Sequence, residues 1–298
     1  MKIPPFLKKG DTVAIVCTAR KFSPEDAQPA IALLESWGLH VKLGQTIGLD
    51  SCQLGGTDVE RAADFQTQLD DDHIKAIWCA RGGYGTVRII DQLDFSKFVN
   101  HPKWVMGFSD VTVLHSHIHT LGVATLHSIM PFTVPKAPEE VRATLKAALF
   151  GEKLVYQIPT KFYDIQGKAK GILVGGNISI LYSLLGSKSS IDTRGKILFI
   201  EDLDEYLYHI DRMMYNLKRN GYFDQVKGII VGSMTDMHDN EIPFGQNEVQ
   251  IITAIAQSYD IPIVFEFPAG HQRDNRTLIL GSFVDFEVNS TDVILRFH

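Results

Sequence analysis

Three features of this 298-residue sequence predict an open α/β fold with a parallel sheet covered on both faces. Short, largely apolar runs of strand length recur, as at residues 74–80, interrupted only by Lys75, and 104–108, which is how strands buried on both faces read. Between the runs stand amphipathic stretches that open with good helix caps. The polar, glycine-bearing segments come directly after the runs, where open α/β sheets gather ligands.

The elements follow in order. Residues 13–17 form the first apolar run. Ser23-Pro24-Glu25-Asp26 then offers a cap, a proline at the first helical position and early acids. Ile31, Leu33, Leu34 and Trp37 supply the helical stripe, and Gly38 a stop. Residues 40–43 read as a second strand. Thr57-Asp58-Val59-Glu60 is a capping box opening a helix that carries Ala62, Phe65 and Leu69. Strands at 74–80 and 104–108 follow, then a short one at 123–126 and a helix at 138–150.

The pattern changes near residue 150. Residues 151–170 carry no helical stripe and read as a crossover. A second alternation follows, with strand 196–200, helix 206–220, strand 228–231, helix 247–258 and strand 262–267. Segments 283–288 and 293–297 alternate as antiparallel strands do. The expected organisation is an N-terminal α/β domain over 1–150, a linker over 151–170 and a C-terminal domain over 171–298, with a cleft between the two.

Composition narrows the function. Hydrophobic residues make up 45% and charged residues 21% of the chain, a globular balance without room for long disorder. The net charge of −6 and the lack of a basic cluster argue against nucleic acid as partner. Cys17, Cys52 and Cys79 are widely spaced and odd in number, which suits a reducing compartment. The N-terminus has no apolar signal core before its prolines and charges, and no apolar run is long enough for a membrane span. A cytoplasmic protein is expected.

Three places are more polar than turns require. In Gly107-Phe108-Ser109-Asp110-Val111-Thr112 a serine stands at a strand-to-helix junction. It either caps the helix or presents a nucleophile beside helix-start N–H groups. Val111 stands where a G-x-S-x-G elbow would have its last glycine. Arg81-Gly82-Gly83-Tyr84-Gly85 is either a tight turn or a loop whose N–H groups face developing negative charge. It has neither the G-K-[ST] ending of a phosphate loop nor G-x-G-x-x-G spacing. Arg81 either pairs on the surface or grips a substrate carboxylate. The third place is split: Glu201-Asp202 ends one strand, and Gly270-His271 follows another. Ser109, Glu201 and His271 together supply the nucleophile, orienting carboxylate and base of an acyl-transfer triad. A competing cluster, His115, His117, His119 and His127, places His115 and His119 four apart on a helix. Ser116 stands where a zinc H-E-x-x-H motif needs glutamate. These read as packing or polar-face histidines, with His127 free to face the cleft.

With these motifs in order, the chain resembles the LD-carboxypeptidase family, serine peptidases that include the microcin C self-immunity proteins. The resemblance runs nearly end to end, through the opening LKKGDTVAIV, the ARGGYG and GFSDVT segments, Gly175-Gly176-Asn177, Glu201-Asp202 and Gly270-His271. It implies a flavodoxin-like N-terminal domain and a smaller β-rich C-terminal one. It implies Ser109 as nucleophile, His271 as general base and Glu201 as the carboxylate orienting it. Backbone N–H groups of Asp110 and Gly83 would form the oxyanion hole. It further implies no metal, no organic cofactor and a homodimer. Phe108 stands where many relatives have Tyr, which removes a phenol and leaves the backbone unaltered. The expected substrate is a murein tetrapeptide losing its terminal D-alanine, with Arg81 on the free carboxylate. An aminoacyl or peptidyl nucleotide is the alternative substrate, and a catalytically silent peptidoglycan-fragment binder the alternative class.

Overall fold

The computed structural model describes residues 1–298. Its first half builds β1 (Thr12–Val16), α1 (Pro24–Ser36), β2 (His40–Leu43), α2 (Asp58–Asp70), β3 (Ile74–Cys79), α3 (Ser96–Asn100), β4 (Trp104–Gly107), α4 (Thr112–Thr120), β5 (Thr125–His127) and α5 (Glu139–Phe150). Local chemistry sets these boundaries. Ser23 Oγ accepts the Asp26 N–H at 3.1 Å and starts α1. Thr57 and Glu60 cap α2 reciprocally, at 2.7 and 3.3 Å.

The second half adds β6 (Val155–Pro159), β7 (Gly167–Asn177), α6 (Ile178–Ser183), β8 (Ile197–Leu203), α7 (Leu207–Arg219), β9 (Gly228–Thr235), α8 (Glu248–Ala256), β10 (Ile263–Val264), β11 (Leu278–Leu280), β12 (Phe283–Val288) and β13 (Asp292–Phe297). The first sheet has the order β11-β5-β4-β3-β1-β2, parallel except where β11 meets β5. Without β11 this is the 2-1-3-4-5 order of flavodoxin-like folds, whose ligand crevice opens where β1 and β3 diverge. The second sheet runs β10-β9-β8-β7-β12-β13-β6. Long β7 joins its two halves, pairing in parallel with β8 through Leu173–Asn177 and antiparallel with β12 through Gly167–Ile172.

Four segments differ from expectation, the longest being β7, whose residues 167–170 were expected in the crossover and whose remainder was not expected as a strand. Residues 155–159, read as part of a crossover, form edge strand β6 beside β13. Their alternation of outward Val155 and Gln157 with inward Tyr156 is a period of two, invisible to a search for helical stripes. Pro159 is tolerated because it ends an edge strand. The strand expected over 262–267 pairs only at Ile263 and Val264, and Glu266 (φ 50°) turns the chain toward the cleft. Leu278–Leu280 crosses back to complete the first sheet beside β5; three apolar residues carry too little periodicity to announce a strand.

One hydrophobic cluster passes through both sheets, from Trp78 and Trp104 to Phe199, Phe267 and Phe286. The Asn177 N–H donates to Thr112 Oγ1 at 3.1 Å, tying β7 to the start of α4. Asn177 also lies opposite Glu201 in the ladder. This lock sets the distance between the turn after β4 and the carboxyl end of β8. No helix is long and apolar enough to cross a membrane.

Candidate active site

β4 ends at Gly107, whose φ of 151° leaves its Cβ position 2.8 Å from Val111 Cγ2, so no side chain fits there. Two residues on, Ser109 adopts φ 63°, left-handed backbone that costs a non-glycine residue about 1–3 kcal/mol. The tight turn Ser109–Val111 and the helix α4 after it both lack a side-chain cap. The helix-cap reading of Ser109 therefore fails, and the hydroxyl is uncommitted. It faces the glycine loop: a Cβ on Gly82 would lie 3.3 Å from Ser109 Oγ.

Buried side chains hold this turn and loop together. His115 Nε2 lies 2.9 Å from the Gly107 carbonyl, which can only accept, so that nitrogen carries the ring proton. Burial lowers the His115 pKa to about 4 and keeps it neutral. Asp110, 1% exposed, accepts the Thr86 N–H at 2.9 Å, and burial raises its pKa against the pull of that contact. Arg61 was missed by the sequence reading. Fully buried, it donates to the carbonyls of Thr18 (2.5 Å) and Gly85 (2.9 Å) and pairs with Asp58, fastening the loops after β1 and β3. Its position four residues before Phe65 and eight before Leu69, on the buried stripe of α2, was the available signal.

Glu201, fully buried at the end of β8, and His271 meet at 2.6 Å between Oε2 and Nδ1. The carboxylate can only accept, so Nδ1 holds the proton of the neutral imidazole and Nε2 holds the free lone pair. Burial alone would lower the His271 pKa, but the Glu201 charge and hydrogen bond, helped by Asp202, raise it above the ordinary 6.5. Asp202 is itself lifted to about 6, by burial and then by Glu201. It accepts from Asn177 Nδ2 (2.8 Å), Ser179 N (2.9 Å) and Leu203 N (2.9 Å), a structural role at the head of α6.

The backbone before His271 is equally constrained. Gly270 has φ 107°, and a Cβ there would meet Glu201 Oε2 at 2.8 Å. Gly270→Ala is expected to combine left-handed strain with displacement of the carboxylate, lowering stability by about 1–3 kcal/mol and turnover far more. Thermal unfolding and steady-state rates check this; a variant with wild-type turnover would show that the pair tolerates displacement. The Gly270 N–H donates to Asn275 Oδ1 at 2.8 Å, in a buried position. Asn275→Ala leaves that N–H unpaired and is expected to lower kcat about ten-fold at nearly constant KM. A rise in KM alone would place Asn275 in substrate binding instead.

The structure brings Glu201 and His271 into direct contact, and the ring of Phe108, the residue before Ser109, lies 4.8 Å from the His271 ring. Ser109 and His271 share no hydrogen bond, the one side-chain partner of the His271 ring being Glu201. Arg81 lies with its guanidinium 4.1 Å above the Phe132 ring. The histidine cluster disperses. His117 Nδ1 meets Ser189 Oγ at 2.9 Å, and His119 Nε2 meets Lys196 Nζ at 3.0 Å. His127 is buried between Phe108 and Phe199 rather than facing solvent, with both ring nitrogens unpaired. Burial, and then the neighbouring His115 and His271, hold its pKa well below the ordinary range. A cavity of about 410 Å³ opens beside His271, lined also by Phe108, Phe132 and Leu203.

Family comparison bears on this arrangement. Residues 13–128 match the LD-carboxypeptidase N-terminal domain and residues 170–286 the LD-carboxypeptidase C-terminal domain. A Bacillus subtilis protein named "Probable murein peptide carboxypeptidase" is 39% identical over 94% of this chain and 89% of its own length. The chain belongs to the LD-carboxypeptidase family. As a member it is a peptidase, and its two-sheet architecture is the family's. The murein tetrapeptide carboxypeptidase of Pseudomonas aeruginosa is 27% identical over 93% of each chain. The Escherichia coli microcin C7 self-immunity protein MccF is 25% identical over 84% of this chain and 82% of its own. The solved muramoyltetrapeptide carboxypeptidase of Oxalobacter formigenes superposes with a TM-score of 0.87 at 24% identity, covering 96% of this chain and 98% of that one, a likeness of fold.

Proposed function

We propose that this peptidase is a serine-type LD-carboxypeptidase that removes terminal D-alanine from a murein tetrapeptide by cleaving the amide after the L-centre of the diamino acid. The observation that carries the reading is the buried Glu201–His271 pair, packed against Phe108, together with a strained Ser109 next in the chain whose hydroxyl caps nothing. The murein names of the relatives at 39% and 27% identity favour this substrate class.

In this mechanism His271 Nε2 takes the Ser109 proton as the hydroxyl oxygen attacks the amide carbonyl. Glu201 holds the imidazole tautomer and stabilises the imidazolium. The N–H groups of Gly83 and Asp110 receive the oxyanion. A Cβ on Gly82 would lie 3.3 Å from Ser109 Oγ, so the glycine loop runs close beside the serine, which supports this reading. The imidazolium then protonates the leaving amine, D-alanine departs, and water activated by the same imidazole releases the tripeptide acid. Arg81, which makes no ion pair of its own, supplies a cation near the substrate carboxylate. The proposal places the enzyme in the cytoplasm as a homodimer acting on recycled wall peptides, with no cofactor.

Incubation with murein tetrapeptide, and separately with an aminoacyl sulfamoyl nucleoside, tests the reading. Release of D-alanine is expected. Cleavage of the nucleoside compound alone would move the protein to the self-immunity activity, and binding without either product would make it a fragment-binding protein.

A further inference from the structure

The cavity beside His271 carries charge of one sign. Lys136, at the end of the turn Pro131–Lys136, and Arg273, two residues past His271, both stand on its wall, and no acidic residue lines it. The two side chains come from segments 137 positions apart, and the Arg273 Nε–H reaches back to the Lys136 carbonyl at 3.4 Å. Neither is engaged in an ion pair, although the chain pairs Arg88, Arg194 and Arg276 elsewhere. Arg81, itself outside the lining, stacks over Phe132, which lines the cavity. Phe108, Ile129 and Leu203 give the cavity an apolar lining, while Lys136 and Arg273 themselves are exposed to solvent.

Geometry also says which part of a substrate enters. A triad histidine hands its proton to the leaving amine, so the leaving residue must lie against the imidazole. The glycine loop occupies another side of Ser109, at Gly82, and the cavity has His271 itself as wall. We infer that this cavity is the leaving-residue subsite and that Lys136 and Arg273, which line it, hold the terminal carboxylate of the departing D-amino acid. The inference rests on the peptidase reading above and extends the carboxylate contact beyond Arg81. Cations on the pocket lining that lack an ion pair favour a substrate with a free C-terminus, because an amide or a longer chain would leave them without a partner.

The test compares the tetrapeptide ending in D-alanine with the same peptide ending in D-alanine amide. Wild type is expected to prefer the acid, and Lys136→Met and Arg273→Met each to lower kcat/KM for the acid about ten-fold while leaving the amide within two-fold. The double variant should lose the preference with unchanged thermal unfolding. Equal losses on acid and amide, or an undiminished preference for the acid, would overturn the assignment. Calorimetric binding of N-acetyl-D-alanine and of its amide to the full chain provides a readout that needs no turnover. If wild type cleaves neither peptide, the peptidase reading of the site fails. The subsite still stands if acid-selective binding disappears in the double variant, and falls if wild type binds acid and amide alike.

Discussion

Ser109→Ala is expected to lower kcat for D-alanine release by about a million-fold, the scale at which removal of a triad nucleophile leaves only the rest of the site. The fold should survive, because the Ser109 hydroxyl caps neither its own turn nor helix α4. Thermal unfolding within a few degrees of wild type would confirm that the loss is chemical. Affinity for the tetrapeptide should persist in the variant, since the cavity walls come from other residues. Near wild-type turnover would eliminate serine catalysis. A loss of substrate affinity equal to the loss of rate would instead make Ser109 a binding group.

Glu201→Gln is the second large effect, and it has a direction in pH as well as in rate. The carboxylate accepts from His271 Nδ1 at 2.6 Å and raises the imidazole pKa above 6.5, against burial that pulls it down. The base is active only when neutral, so kcat/KM should rise with pH through that elevated value. Removing the charge leaves burial dominant. The acid limb of the profile should then move below 6.5 while the plateau falls roughly 10³–10⁴-fold through loss of the correct tautomer. A pH–rate profile in which the variant keeps the wild-type limb would assign the titration to another group. The same pair has a consequence for stability. A raised imidazole pKa contributes to folding below the unfolded value, and the contribution is lost as pH rises through the folded value. The pair therefore stabilises the acid side of neutrality, while activity belongs to the alkaline side.

Much of the fold was legible because local signals agreed with the tertiary structure. The capping box at Thr57–Glu60 and the Ser23-Pro24 start correspond to helices α2 and α1. The apolar runs at 74–80 and 104–108 became central strands, since burial on both faces leaves Lys75 as the one polar position in them. Edge strand β6 escaped because half of its residues face water, and β11 because three residues carry no period. At the site, the polar residues after β4 and in the last residues of β8 stood out, the strand running on through Glu201 and Asp202 to Leu203. Arg61 did not: arginine on a buried helix face looks like an ordinary exposed cation until its carbonyl partners come from two other loops.

The sequence by itself determined residue chemistry and order: a serine after one strand, a carboxylate after another and a histidine beyond a glycine, on an alternating α/β chain. Only the tertiary structure decided that Glu201 and His271, 70 positions apart, meet at 2.6 Å. It also decided that Ser109 holds left-handed backbone with its hydroxyl free, and that Lys136 and Arg273 share a wall with the imidazole. The physical reason is that helix and strand signals arise from neighbours within a few residues. Proximity across the cleft depends instead on β7 locking the two sheets together through Asn177 and Thr112, and on a core common to both.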